Sequence, residues 1–238
     1  MTSTSSGAGP YRYTYSWAPA QPEPGHVTTS PTELLHIGVA FLVLTFDFVL
    51  ILFVGGLITG FRFSAFGSVP LTAVLTAAGL AFTAFVCHEL AHKVSAQRRG
   101  YWAEFRWSPM GLVFSVFTAY LGFLFAAPGA TVVGGMGDIR QWGRTSLAGP
   151  LANLGFATIF YVSSTAAWLL GSSLFFWLLL LAYFNTFFAA FNLVPIGPLD
   201  GAKVLRWSTV AWAVSFVAAA VFAAVCYLGL YFLGRPIF

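Results

Sequence analysis

His88, Glu89 and His92 stand together in FVCHELAHKV, residues 85–94, in the middle of an apolar run. On a helix the two histidines are one turn apart and share a face, so both imidazoles can reach one ion at a zinc–nitrogen distance of about 2.0–2.1 Å. Glu89 lies about 100° round the helix from His88, a position from which its carboxylate can meet a water beside that ion and act as a base. The chain has four histidines and four glutamates in 238 residues, so a chance HExxH is on the order of one in a thousand. The spacing points to metal-assisted hydrolysis.

The elements that carry these residues follow from composition. Hydrophobic residues make up 58% of the chain and charged residues 8%, far below the roughly 25% of a soluble domain. Five stretches are long enough to cross a bilayer, which takes about 20 apolar residues: Leu34 to Ile58, Leu71 to Val94, Leu147 to Leu170, Leu174 to Val194 and Val210 to Leu233. The fold class expected is an all-α polytopic membrane protein with five or six transmembrane helices. Residues 1–32, rich in Ser, Thr, Pro and Gly, read as a disordered cytoplasmic tail, and residues 33–238 as one membrane-embedded domain. The net charge of +4 is better explained by topology than by nucleic acid, which is not expected as a partner. Lys93, Arg98, Arg99, Arg106, Arg140 and Arg144 lie between the second and third spans, and Lys203 and Arg206 between the fourth and fifth. The positive-inside rule puts both loops in the cytoplasm and Arg62 and Arg235 on the other side. Five crossings satisfy this bias if the sixth apolar stretch, Pro109 to Ala127, is re-entrant. A sixth crossing helix is the alternative. The flanks favour re-entry, because YWAEFRW alternates weakly at period two and ATVV is a short β-branched run after a Pro-Gly turn.

Each ionisable residue near a membrane centre disfavours insertion by about 2.5–3.5 kcal/mol, so three together require a compensating partner. A hydrolytic zinc site has three protein ligands and one open position. After His92 the acids are Glu104, Asp138 and Asp200. Glu104 is too close in sequence to return from another helix, and Asp138, in GGMGDIR, reads as a solvated turn. Asp200 ends FNLVPIGPLD at the cytoplasmic end of the fourth span and reaches a membrane depth similar to His92 from a different helix. Pro195 and Pro198 interrupt the helix, and Gly197 and Gly201 relieve the backbone, so the carboxylate can turn inward. Asn192, on the last turn before this break, could donate a hydrogen bond to a ligand, a substrate carbonyl or a freed backbone group. Asp47 interrupts the first span at mid-depth, deeper than the ligands, and reads as a protonated or paired acid or as part of a gate.

HELAH in one span, AGPLAN (Ala148 to Asn153) opening another and NLVPIGPLDG (Asn192 to Gly201) closing a third together resemble the site-2 protease family of intramembrane zinc metalloproteases, over roughly Phe82 to Gly201. The resemblance implies one Zn2+ per chain held by His88, His92 and Asp200, with Glu89 as the catalytic glutamate. It implies substrate binding by Asn192, includes Asn153 in a matching motif, and places a membrane-embedded β-hairpin after the HExxH helix. The activity implied is regulated intramembrane proteolysis: hydrolysis of a peptide bond in or near the membrane segment of a single-span protein. The setting would be a multi-pass protein of the cell membrane whose N-terminus and active-site opening are cytoplasmic. A metal-ion permease or a catalytically silent scaffold for membrane proteins is the alternative.

Overall fold

The computed structural model describes residues 26–54, 71–124, 128–135 and 137–233. Residues 1–25 of the expected tail, Arg62 and Arg235 lie outside the described residues. Helix α1 (Pro31–Val54) opens where Ser30 accepts from the Glu33 N–H at 3.1 Å, with Pro31 at the first helical position. The expected tail boundary at residue 32 therefore falls inside α1. The second span, Leu71–Gln97, is one rod of 27 residues made of α2 (Leu71–Leu80), a π-helical stretch (Ala81–Val86) and α3 (Cys87–Gln97). At its end the Cys87 N–H donates to Phe82 O, five residues back. One residue is thus inserted into the helical ladder immediately before HELAH, as π-bulges near functional sites commonly do.

Helices α5 (Ile139–Leu169), α6 (Leu174–Asn192) and α8 (Thr209–Leu233) complete, among the described residues, five helices long and apolar enough to cross a membrane. The chain is a polytopic membrane protein. The third span begins at Ile139, ahead of the apolar run at Leu147, because Asp138 caps it, accepting from the Arg140 N–H at 2.9 Å. The spans pack through small residues that let backbones approach: Ala77, Ala81, Ala182, Ala189 and Ala219 are fully buried. Leu44, Phe48, Leu80 and Leu181 fill the space between α1, α2 and α6. Leu42, Phe82, Val162 and Val217 are exposed on the outside, where lipid would cover them.

Between α3 and α5, β1 (Trp102–Trp107) pairs antiparallel with β2 (Gly129–Gly134), in a register running from Trp102 opposite Gly134 to Trp107 opposite Gly129. That last pair decides between re-entry and a sixth crossing. It sets the two ends of the 108–128 connection side by side, so the connection returns to where it left. The strands are the flanks of the apolar stretch. Its first part is instead helix α4 (Pro109–Tyr120), N-capped by Ser108, which accepts from the Gly111 N–H at 3.1 Å. Twelve residues rise about 18 Å, well short of a hydrocarbon core of about 30 Å. Residues 125–127 lie outside the described residues.

Asp47 is fully buried where α1 meets α4, and its Oδ2 accepts from the Ser115 hydroxyl at 2.6 Å. The mid-depth acid is therefore paired across the α1–α4 contact.

Candidate metal centre

Three elements meet at HELAH. Helix α3 carries His88, Glu89 and His92. Helix α5 brings the AGPLAN turn across them, and α7 (Asp200–Trp207) presents Asp200 from its first residue. A carboxylate in the first turn also sits at the favourable end of the helix dipole. Gly201 lets α7 start there: a Cβ at this position would collide with the Leu193 carbonyl at the end of α6. The short helix can thus press onto the turn that Pro195 and Pro198 open.

Asp200 Oδ2 is 3.3 Å from His88 Nε2 and 3.0 Å from His92 Nε2, and the two Nε2 atoms are 3.0 Å apart. In a tetrahedron with ligand distances near 2.0 Å, ligand atoms are about 3.3 Å apart. Among the described residues, this is the group of three metal-ligating side chains whose donor atoms converge. All three are buried.

The partners on the far side of each ring fix which atoms converge. His92 Nδ1 is 2.8 Å from the Thr145 carbonyl, which can only accept, so Nδ1 carries the proton and Nε2 the lone pair. Pro150, inside α5, has no N–H to give the Ser146 carbonyl, so the helical ladder is interrupted one residue beyond Thr145. Asn153 Nδ2 donates to Ala84 O at 3.2 Å, in the π-helical stretch, which turns Oδ1 towards His88 Nδ1 at 3.3 Å. His88 is thereby held in the same tautomer. Two imidazole lone pairs and a carboxylate oxygen converge in a buried space with no donor among them, and a cation satisfies all three.

The local charge agrees. Lys203 Nζ lies 3.4 Å from Asp200 Oδ1, leaving Oδ2 to the histidines. A cradle for an ion is also present. A Cβ at Gly149 would lie 2.5 Å from His92 Nε2 and 2.6 Å from His88 Nε2, so only glycine keeps α5 this close to the ligand atoms. The residues present fit zinc: two imidazole nitrogens and one carboxylate oxygen in near-tetrahedral spacing.

Glu89 points to the hairpin. Its Oε2 accepts from the Thr131 N–H at 2.7 Å, and its backbone carbonyl accepts from the Thr131 hydroxyl at 3.0 Å. Of the residues expected at the site, His88, His92 and Asp200 are brought together, Asn153 touches His88, and Glu89 sits on β2. Asn192 ends α6 and donates one turn back to Phe188 O at 3.0 Å rather than to the cluster.

Sequence reasoning missed Gly149, Thr131, Lys203 and the pair Glu33–Lys93. Lys93 belongs to the buried end of α3 and not to an exposed basic loop. It forms an ion pair with the fully buried Glu33, and donates to Thr29 Oγ1 at 2.8 Å. Glu33 Oε1 also accepts from the Phe105 N–H of β1 at 3.0 Å. An acid in the first turn of a span and a lysine one residue after the second histidine were the available signals.

Fold and site together define a polytopic membrane protein in which an HExxH helix and Asp200 bring together three buried side chains that could hold a metal ion. The chain is 36% identical over 135 residues to the protein named "Putative zinc metalloprotease MJ0611" from Methanocaldococcus jannaschii, covering 55% of this chain and 69% of that protein. The chain belongs to the site-2 protease-like family of zinc metalloproteases. No family model and no solved structure matches it.

Proposed function

We propose that this chain is an intramembrane zinc endopeptidase that hydrolyses a peptide bond in or near the membrane segment of a single-span protein, as a step of regulated intramembrane proteolysis. The observation that carries the reading is the convergence of His88 Nε2, His92 Nε2 and Asp200 Oδ2 one residue away from a glutamate that is not itself in the ligand cluster. A permease or a silent scaffold has no use for a base at that position. A zinc ion bound by His88, His92 and Asp200 supplies Lewis acidity, making water more acidic and a carbonyl more electrophilic.

The chain's own residues do the rest. Glu89 takes a proton from water as the oxygen adds to the peptide carbonyl carbon, and returns it to the amide nitrogen as the C–N bond breaks. Thr145 and Asn153 keep both Nε2 lone pairs directed inward throughout. The reading places one zinc in each chain and the chain in a cell membrane. The bias of Lys and Arg puts the N-terminus and the opening of the site on the cytoplasmic side. Asn192, at the end of α6, is assigned to substrate binding.

Membrane proteins from cells with wild type and with Glu89→Gln, compared by mass spectrometry, test this. A trimmed single-span fragment is expected with wild type alone. Identical fragment profiles would remove the protease reading.

A further inference from the structure

Helix α3 carries two working faces. His88 and His92 form the face that meets α5 and α7. Glu89, Lys93 and Gln97, each four residues from the next, form a stripe about 100° round the helix. All three are tied to the hairpin. Gln97 Nε2 donates to Ala103 O at 2.8 Å, and Lys93 is paired with Glu33, whose Oε1 accepts from the Phe105 N–H at 3.0 Å. Glu89 Oε2 accepts from the Thr131 N–H at 2.7 Å. Phe105 and Thr131 face each other across the sheet, and both spend their N–H groups on carboxylates outside it. They are therefore a non-hydrogen-bonded pair whose N–H groups point off opposite edges. Two carboxylates grip the hairpin from its two sides, and Lys93 returns the second grip to α3. The circuit runs from Glu89 through Thr131, Phe105 and Glu33 to Lys93, one helical turn from its start.

We infer that Glu33 is a positioning residue for the base: anchored by Lys93, it fixes β1 through the Phe105 N–H, and thereby fixes Thr131 and the direction of the Glu89 carboxylate. Stability is a poor reason for the ion pair, because apolar residues of similar volume often serve a buried site as well or better. What they cannot do is accept a hydrogen bond. Phe105 is 1% exposed and Glu33 fully buried, so without that acceptor the Phe105 N–H would be left unpaired or β1 would move to find another partner. Movement of β1 carries Thr131 with it, since the strands are paired on both sides of this position. A carboxylate held by one oxygen presents the other in a fixed direction, and small misplacements of a reacting group cost rate steeply. Glu33 touches no reacting atom and acts only through this linkage. The inference rests on the peptidase reading for the role of Glu89 as base, while the linkage itself is geometric.

Two double variants of the full chain isolate the acceptor. Glu33→Gln with Lys93→Met removes the ion pair but keeps a carbonyl oxygen for the Phe105 N–H, whereas Glu33→Leu with Lys93→Met removes both. The Phe85–Phe105 ring contact and Gln97 still hold β1 near α3, so both are expected to fold. Amide exchange at Thr131, followed by fragmentation mass spectrometry on metal-free protein in detergent, is expected to be about tenfold faster in the leucine variant and near wild type in the glutamine variant. Zinc-loaded forms, matched for zinc content, are then given a fluorogenic synthetic single-span peptide of about 25 residues. The leucine variant should lose about tenfold in kcat with KM little changed, and the glutamine variant should stay within about twofold of wild type. A merely structural role would move thermal unfolding alone. Equal exchange at Thr131 in the two variants overturns the inference, as does faster exchange with unchanged kcat or a change confined to KM. Cleavage by wild type with any of these results leaves the peptidase reading standing. Faster exchange in the leucine variant with no cleavage by any form upholds the linkage from Glu33 to Glu89 and sinks the peptidase reading.

Discussion

Replacing Gly149 by alanine should empty the metal centre while leaving the helices folded. The added Cβ would lie 2.5 Å from His92 Nε2 and 2.6 Å from both His88 Nε2 and His92 Cε1, about 0.9 Å inside the 3.4 Å at which ordinary contact begins. Neither ring can retreat, because Nδ1 of His92 is bonded to Thr145 O and that of His88 to Asn153. A ligand set tolerates displacements of about 0.2 Å, so a shift several times larger takes at least one nitrogen out of the shell. Loss of a partner that merely orients a ligand weakens metal binding by about 10–100-fold. Displacing the ligand atoms themselves should weaken it by at least about 100-fold, or about 2.7 kcal/mol. Overpacking costs about 1–3 kcal/mol in addition, which a bundle of five long helices should survive. Competition against a chelator of known zinc affinity gives the binding constant, and thermal unfolding of the metal-free protein controls for folding. A folded Gly149→Ala protein with wild-type zinc affinity would refute the cradle.

Asp200→Ala should lower zinc content, and equal zinc by elemental analysis would take Asp200 out of the ligand set. Asn153→Ala should weaken zinc about 10–100-fold by freeing the His88 ring, measured by the same competition; an unchanged constant would make the amide a packing residue only. Glu33→Ala should destabilise the protein by about 3–5 kcal/mol, since it strands the buried Lys93 charge, whereas Glu33→Leu with Lys93→Met should recover most of that loss in thermal unfolding. Cysteines placed at Arg98 or Lys203 should resist an impermeant thiol reagent added to intact cells, and labelling at either would reverse the orientation proposed from charge.

What could be read in advance divides by range. HELAH is legible because its geometry is internal to one helix: spacing alone puts His88 and His92 on one face. Asp200 is legible at long range because a membrane restricts depth, and a broken helix end at the right depth leaves few acids to choose from. The strands were visible only as weak alternation in the flanks, and the apolar stretch between them was read as re-entrant without its helix. Two termini made adjacent by strand pairing leave no periodic trace in the segment they enclose. Gly149 and Thr131 were not legible at all. One acts by lacking a side chain at a crossing of α3 and α5, the other through a backbone N–H, and neither function has a residue type that announces it. Lys93 was misread because charge counting assigns a lysine at a span's end to the aqueous loop, while a single acid on another helix, Glu33, suffices to bury it.

The same helix shows why so polar a segment can lie within an apolar bundle. The ionisable side chains in residues 88–93 of α3 are met by four other elements: His88 by Asn153 of α5, Glu89 by Thr131 of β2, His92 by the Thr145 carbonyl of α5, both histidines by Asp200 of α7, and Lys93 by Glu33 of α1. Burying any of these groups without its partner would cost several kcal/mol. The helices cannot therefore close round α3 in another rotation without stranding at least one of them. Burial of these polar groups favours the packing in which the donor atoms of His88, His92 and Asp200 converge with Glu89 beside them, so forming the fold and forming the candidate site are the same event. Spans α6 and α8 make none of these contacts directly, yet α6 ends in the turn that delivers Asp200, and Trp212 of α8 donates through Nε1 to Leu193 O at 2.8 Å in that same turn. A perturbation of α8 near Trp212 therefore reaches the metal centre through the position of Asp200, with His88 and His92 left in place.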